Sequence, residues 1–205
     1  MKKDLAVKTI YECAKKYRGN LVNNNLLFVF GDVDSVDYIE TLCLPQHFLH
    51  LTGAVLVDKS INSTNFLSMC IDGRLASSSF EFSRDGTTVL KLSVLRQLMD
   101  IHKIAKMVGD YSANRIMLNT DKVIGHVSAC MGFVRSKEYP NYFVPNTVLR
   151  EDIRDVIRKP AKKVLAVFKK SRENHFYSEC TYLAKNVTQH DVVALDEVRS
   201  KLCLM

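Results

Sequence analysis

Apolar residues recur along the chain first at helical and later at alternating spacing. Over residues 4–18, Ala6, Ile10, Cys13, Ala14 and Tyr17 fall on one face, with Asp4 placed to cap the helix and Gly19 to end it. Leu26 to Phe30 reads as a short apolar strand closed by Gly31-Asp32, and Tyr38 to Leu44 as a second that stops at Pro45. Ser63 opens a short helix that carries Phe66, Leu67, Met69 and Cys70 and stops at Gly73. The strongest helical signal spans residues 89–108, where Val94, Leu98, Ile101, Ala105 and Val108 lie within roughly 80° of one another at about 100° per residue. Arg96, Asp100 and Lys103 point the other way, and His102 sits at the margin of the stripe. Beyond Gly109-Asp110, β-rich pieces near 115–124, 127–135 and 141–149, separated by Gly and by Lys137-Glu138-Tyr139-Pro140-Asn141, predict a meander. Residues 151–158 predict one or two helical turns, and Val164 to Lys169 and Phe176 to Lys185 further strands.

Helices thus dominate the first half and strands the second. This segregated order predicts an α+β fold, N-terminal helices packed on a mainly antiparallel sheet, rather than βαβ units. Glycine and proline together number 12 of 205 residues and no low-complexity stretch interrupts the chain, so a single domain over 1–205 is expected.

Composition removes several classes. With 47% hydrophobic and 25% charged residues the chain is that of a folded, soluble protein, not a disordered one. Its longest apolar runs, Leu26 to Phe30 and Val164 to Phe168, fall far short of the roughly 20 residues of a membrane span. Lys8, Glu12, Lys15 and Lys16 interrupt any secretory signal, and a cytoplasmic location is expected. Six scattered cysteines without a Cys-x-x-Cys pair imply reduced thiols; Lys2 and the position of Cys203 match no lipid-anchor signal.

Charge is distributed unevenly. The net +7 (29 basic against 22 acidic residues) equals the charge of residues 158–172, which hold Arg158, Lys159, Lys162, Lys163, Lys169, Lys170 and Arg172 and no acid. Such clustering is the footprint of a polyanion partner, because neutralising phosphates releases counterions. Lysines also keep an exposed strand edge from pairing, which is the competing explanation.

No Gly-x-x-x-x-Gly-Lys loop and no Gly-x-Gly-x-x-Gly fingerprint occurs, so nucleotide hydrolysis has no sequence support. Cys43, His47 and His50 form a Cys-x-x-x-His-x-x-His run, but no fourth ligand stands at a recognisable distance. Within Phe48-Leu49-His50-Leu51-Thr52-Gly53, an extended segment would bring imidazole and hydroxyl to the same side, with Gly53 free to turn. A core histidine satisfied by backbone is the alternative.

That hexapeptide, together with Leu90 to Leu95, Ala105 to Tyr111, Thr120-Asp121-Lys122 and Tyr142 to Thr147, resembles the phage-associated nuclease domains, fourth subgroup, of the Barnase/EndoU/colicin/RelE-like ribonuclease fold. The blocks extend from about Tyr38 to Tyr182. The resemblance implies a nuclease core over 38–185, flanked by an N-terminal helix and strand (1–37) and a C-terminal extension (186–205). It implies an antiparallel sheet whose concave face holds RNA, with cleavage independent of metal or other cofactor. The 2′-hydroxyl would attack the adjacent phosphate to give a 2′,3′-cyclic phosphate, a reaction needing a base, an acid and cations for the transition-state oxygens. His50 is then the first candidate acid or base, since imidazole exchanges protons near neutrality, with Thr52 orienting it or the phosphate. Lys91, Lys106 and Arg115 are candidate phosphate cations, or equally solvated cations of helix faces and strand ends. Thr120, Lys122, Asn146 and Thr147 are placed to line the cleft, and Lys162, Lys163, Lys169 and Lys170 to hold RNA. Asp110 and Tyr111 read as a helix-ending turn, His102 and His126 as structural, and His175 and His190 as exposed. The expected partner is RNA, with a cognate inhibitor or host protein as a second; the competing function is a non-catalytic nucleic-acid-binding or protein-interaction module on the same fold.

Overall fold

A computed structural model of the chain describes residues 1–32, 35–112, 118–158, 160–192 and 196–203. Helix α1 (Lys3–Lys16) starts after Lys2 and carries Asp4 in its first turn, where a carboxylate favours the positive end of the helix dipole. The chain runs past Gly19 in a π-helical stretch, Tyr17–Val22. It then enters β1 (Asn24–Gly31), whose residues 25 to 30 are all buried, and returns in β2 (Val36–Leu42). Burial on both faces explains why β1 is a continuous apolar run instead of an alternating one.

Four helices follow: α2 (His47–Thr52), α3 (Ser63–Ile71), α4 (Thr87–Leu98) and α5 (Ile101–Ile104). A two-residue ribbon, β3 (Val55–Leu56) with β4 (Phe80–Glu81), lies among them. Asn62 caps α3, its side chain accepting the Thr64 and Asn65 amides while Asn65 returns a bond to the Asn62 amide. The second half supplies β5 (Met107–Asp110), β6 (Lys122–His126), β7 (Ala129–Arg135) and β8 (Phe143–Leu149), then the turn α6 (Ile153–Val156), β9 (Lys162–Ser171) and β10 (Glu179–Leu183).

The sheet order is β1-β2-β8-β7-β6-β5-β9-β10, and β9 also pairs with β1 along its length. The first seven strands therefore close into a ring. Every pairing in it is antiparallel except β2 with β8, which is parallel and rests on the single pair Thr41↔Phe143. Inside the ring, Phe28, Phe30, Ile39, Ile124, Met131, Phe133 and Val164 join one core with Ile10, Phe48, Phe66 and Leu95 of the helices. Outside it, Leu27, Val29, Leu165 and Phe168 pack under Tyr177, Val192, Val198 and Leu202, and Val123 and Cys130 pack under Ile153 and Val156. The junctions before β1, after β2 and before β5 all lie at one end of the ring, so the helices seal that end.

The fold class is the α+β arrangement read from the sequence, with differences in detail. The helix expected over 89–108 is broken: Asp100 leaves helical geometry (φ −106°, ψ 23°), its carboxylate taken by Lys16 and Asn20. Val108 lies in β5, so an apolar residue that fits helical spacing is buried there by strand pairing instead. Asp110 likewise ends a strand, and Tyr111 bridges Ile157, where a helix-ending turn was expected. Asp4 does not cap α1 and Gly19 does not end it. Segment 48–53 is helical, not extended, closing on Gly53 in the left-handed region (φ 66°). Among the described residues no helix is long and apolar enough to cross a membrane. Burial pushes the thiols of Cys13, Cys43, Cys70 and Cys130 up to about 12, which makes them poor nucleophiles.

Candidate active site

The helical turn α2 begins after Pro45, where the His47 Nδ1 accepts the Leu44 amide (3.2 Å), and ends at Gly53. In a helix, residues two apart point to nearly opposite sides. His50 is accordingly exposed, whereas Thr52 is buried, donating its hydroxyl to the Leu49 carbonyl (2.7 Å) and accepting the Ala54 amide (3.1 Å). The two do not converge, and the extended-segment geometry is corrected on this point.

His50 meets Lys91 instead. Lys91 projects from α4, 8% exposed, and its Nζ donates to the His50 carbonyl at 3.0 Å. Thr88, one turn earlier, donates to the Gly53 carbonyl at 2.5 Å and so clamps α4 to the end of α2. Gly53 is required twice over: its φ is positive, and a Cβ there would stand 2.9 Å from Lys91 Cδ. The result is a cleft of about 360 Å³ lined by Gln46, Leu49, His50, Ala54, Ser63 and Lys91. Partial desolvation of its ring in the cleft lowers the His50 pKa, with the Lys91 charge a second cause, so the imidazole is neutral over a wider pH range. Burial also lowers the Lys91 pKa, opposed by Asp85. A neutral imidazole beside a desolvated ammonium can accept a proton and hold an anion in the same cleft.

Thr120, Asn146 and Thr147 form a second group, built over Gly132 of β7. Asn146 Nδ2 donates to Thr120 Oγ1 (3.1 Å) and to the Asn119 carbonyl. A Cβ on Gly132 would stand 2.8 Å from Thr147 Cγ2 and 2.9 Å from Thr120 Cγ2, so only glycine permits the three side chains to gather. They do not line the His50 cleft. Arg115 lies outside the described residues.

The basic residues are spread over several partners. Lys106 sits 4.1 Å from the Tyr182 ring centroid, and Lys122 pairs with Asp110 at 2.5 Å. Lys162 pairs with Asp37 (3.3 Å), Lys169 with Glu179 (2.8 Å), and Lys170 donates to the His175 carbonyl (3.0 Å) over the Tyr177 ring. Lys163 is exposed. Because β9 bulges at Leu165 against Val29 and Phe30, Lys162 and Lys169 share the face of Val164 and Val167, and Lys163 and Lys170 share the opposite one.

Two features escaped the sequence reading. Glu40 is a carboxylate only 6% exposed, held by Tyr177 OH (2.9 Å) and Lys201 Nζ (2.7 Å); its signal was an acid inside the apolar strand Tyr38 to Leu44. Arg135 ends β7 with its guanidinium 4.6 Å from the Phe143 ring centroid, and nothing local marks it. Among the described residues no three or more His, Cys, Asp or Glu side chains gather as a metal-binding group, the Cys43, His47 and His50 run included.

N-terminal helices seal a mainly antiparallel sheet, and a histidine and a lysine line one cleft on this α+β architecture. Residues 9–186 match the family described as phage-Barnase-EndoU-ColicinE5/D-RelE like nuclease 4, and the chain belongs to that family. No curated protein and no solved structure matches it.

Proposed function

We propose that this protein is an endoribonuclease that cleaves RNA without a metal, using His50 as proton acceptor and Lys91 as cation. The observation that carries the reading is that His50 and Lys91 line one cleft, with Lys91 Nζ bonded to the His50 backbone carbonyl. His50 removes the 2′-hydroxyl proton as the 2′ oxygen bonds to phosphorus. Lys91 holds the charge growing on the equatorial phosphate oxygens. The phosphorus–O5′ bond then breaks, the leaving oxygen takes a proton from water in the open cleft, and a 2′,3′-cyclic phosphate remains. Thr52 serves by shaping the end of α2, and the Thr120, Asn146 and Thr147 group by holding the strand at a distance from the chemistry.

His50→Ala should lower cleavage of labelled RNA by about 10²–10⁴-fold. The exposed position of His50 predicts an unchanged fold by circular dichroism, and EDTA should leave the rate alone. Equal rates for wild type and variant would remove His50 from the mechanism. A second reading, binding without turnover, draws on the bond Lys91 already makes to the His50 carbonyl; it predicts salt-sensitive RNA binding with no cyclic phosphate in the products.

A further inference from the structure

At the end of the ring opposite the helices, the described strand ends form a charged rim. Side chains two apart along a strand share a face. Ile39, Val108, Ile124, Phe133 and Val164 belong to the inner core. The next inward positions towards that end are therefore Asp37, Asp110, Lys122, Arg135 and Lys162. Four of these are exposed and Lys122 is half-exposed. Two inner-core aromatic rings lie beneath them, Phe30 with Lys162 Nζ 5.4 Å from its centroid, and Phe143 with Arg135.

Between β2 and β8 the ring is held by one residue pair, so β2 stands away from β8 towards this end. The gap is a cleft of about 430 Å³ whose lining includes Asp37, Tyr38, Glu40, Arg135, Phe143 and Lys201. Among the described residues Arg135 forms no ion pair; its guanidinium donates to the Pro140 carbonyl (2.8 Å) and keeps further N–H groups. Lys122 and Lys162 are paired, but to carboxylates 60% and 51% exposed, and such solvent-exposed pairs are weak and exchange readily for another anion. Glu40 presents little net charge to the cleft because Lys201 neutralises it.

We infer that this charged rim is the surface on which single-stranded RNA lies, its phosphates received by Arg135, Lys122 and Lys162. The inference rests on the reading of RNA as ligand and adds the place where the strand is held. Planar guanidinium on an aromatic ring suits a phosphate and a flanking base together, since Arg both forks onto phosphate oxygens and stacks. Lys163 and Lys170, on the outer face of β9, have no part in it.

The test is fluorescence anisotropy with labelled, fully 2′-O-methylated RNA, which cannot be cut by 2′-hydroxyl attack, titrated across salt concentrations. Replacing Arg135, Lys122 and Lys162 by Gln should lower the slope of log K against log salt by about 2, at about 0.7 per phosphate contact. Lys163→Gln with Lys170→Gln should leave the slope in place. Asp37→Asn with Asp110→Asn should tighten binding, because both lysines lose their competitor, a gain that a merely structural role would not produce. No binding by the wild type, an unchanged slope in the triple variant, a slope carried by Lys163 and Lys170, or weaker binding in the Asp double variant would each overturn the inference. Cleavage of ordinary RNA by the same triple variant separates the two readings: an unchanged slope with His50-dependent cleavage intact sinks the rim alone.

Discussion

The two ends of the closed sheet are built from the same seven strands and have opposite characters. At the sealed end the connections are helices, and they deliver large apolar groups: Tyr17, Phe48 and Phe66 stack in series with centroids 5.0 and 5.9 Å apart, all fully buried. Tyr17 still satisfies its hydroxyl by donating to the Leu44 carbonyl at 3.0 Å. At the opposite end the strands finish in Asp37, Asp110, Lys122, Arg135 and Lys162, all exposed except the half-buried Lys122. Stability is concentrated where chain connections cover the core. The opposite end carries lysines whose carboxylate partners are exposed and replaceable.

The contrast breaks most sharply at Phe48. Truncation to Ala at the centre of the aromatic stack should cost about 3–5 kcal/mol, seen as a lower urea midpoint with an unchanged m-value. A loss below about 1 kcal/mol would show that the sealed end does not hold the fold.

His102, also near the sealed end, tests the same point through pH. It is 1% exposed, its Nδ1 has no hydrogen-bond partner among the described residues, and burial, reinforced by Lys103 and Lys169, lowers its pKa to about 4. Between pH 4 and about 6.5 the unfolded chain then binds a proton that the native state does not, so stability falls as pH drops through that window and levels below it. At about 1.4 kcal/mol per pH unit the loss approaches roughly 3 kcal/mol. His102→Leu should flatten the fall in urea midpoint between pH 7 and pH 4; wild type and variant falling in parallel would assign the acid sensitivity elsewhere, His47 first.

The smallest expected effect sharpens the comparison from the other side. Lys122→Gln or Lys162→Gln should change stability by about 0–1 kcal/mol, because each breaks an exposed pair. A penalty like that of Phe48→Ala would mean that the rim is structural.

How much of this was legible varies by residue. The α1 face of Ala6, Ile10, Cys13 and Ala14, the apolar strand at Leu26 to Phe30 and the β-rich second half could all be read, because each is a repeat dictated by the backbone's own period. His50 and Lys91 were separately nominated, but their meeting was not, since it depends on α4 docking against the end of α2 through Thr88 and Gly53. Six apolar-rich residues from Phe48 to Gly53 are too few for either period to declare itself, which is why an extended segment and a helix were equally consistent with them. Arg135 carried no signal at all, because its setting comes from Phe143 on the next strand.

By itself, then, the sequence determined the types of the longer elements, the segregation of helices from strands, and the family to which residues 9–186 belong. Only the tertiary structure decided that β9 returns to pair with β1 and closes the ring, that Asp100 breaks the long helix, and which of the lysines share a face. Local periodicity reflects interactions within a few residues, and each element can express it alone. Closure, register and the bulge at Leu165 arise from contacts between residues more than a hundred positions apart, such as Phe30 with Val164, and those are settled by the packing of the whole core.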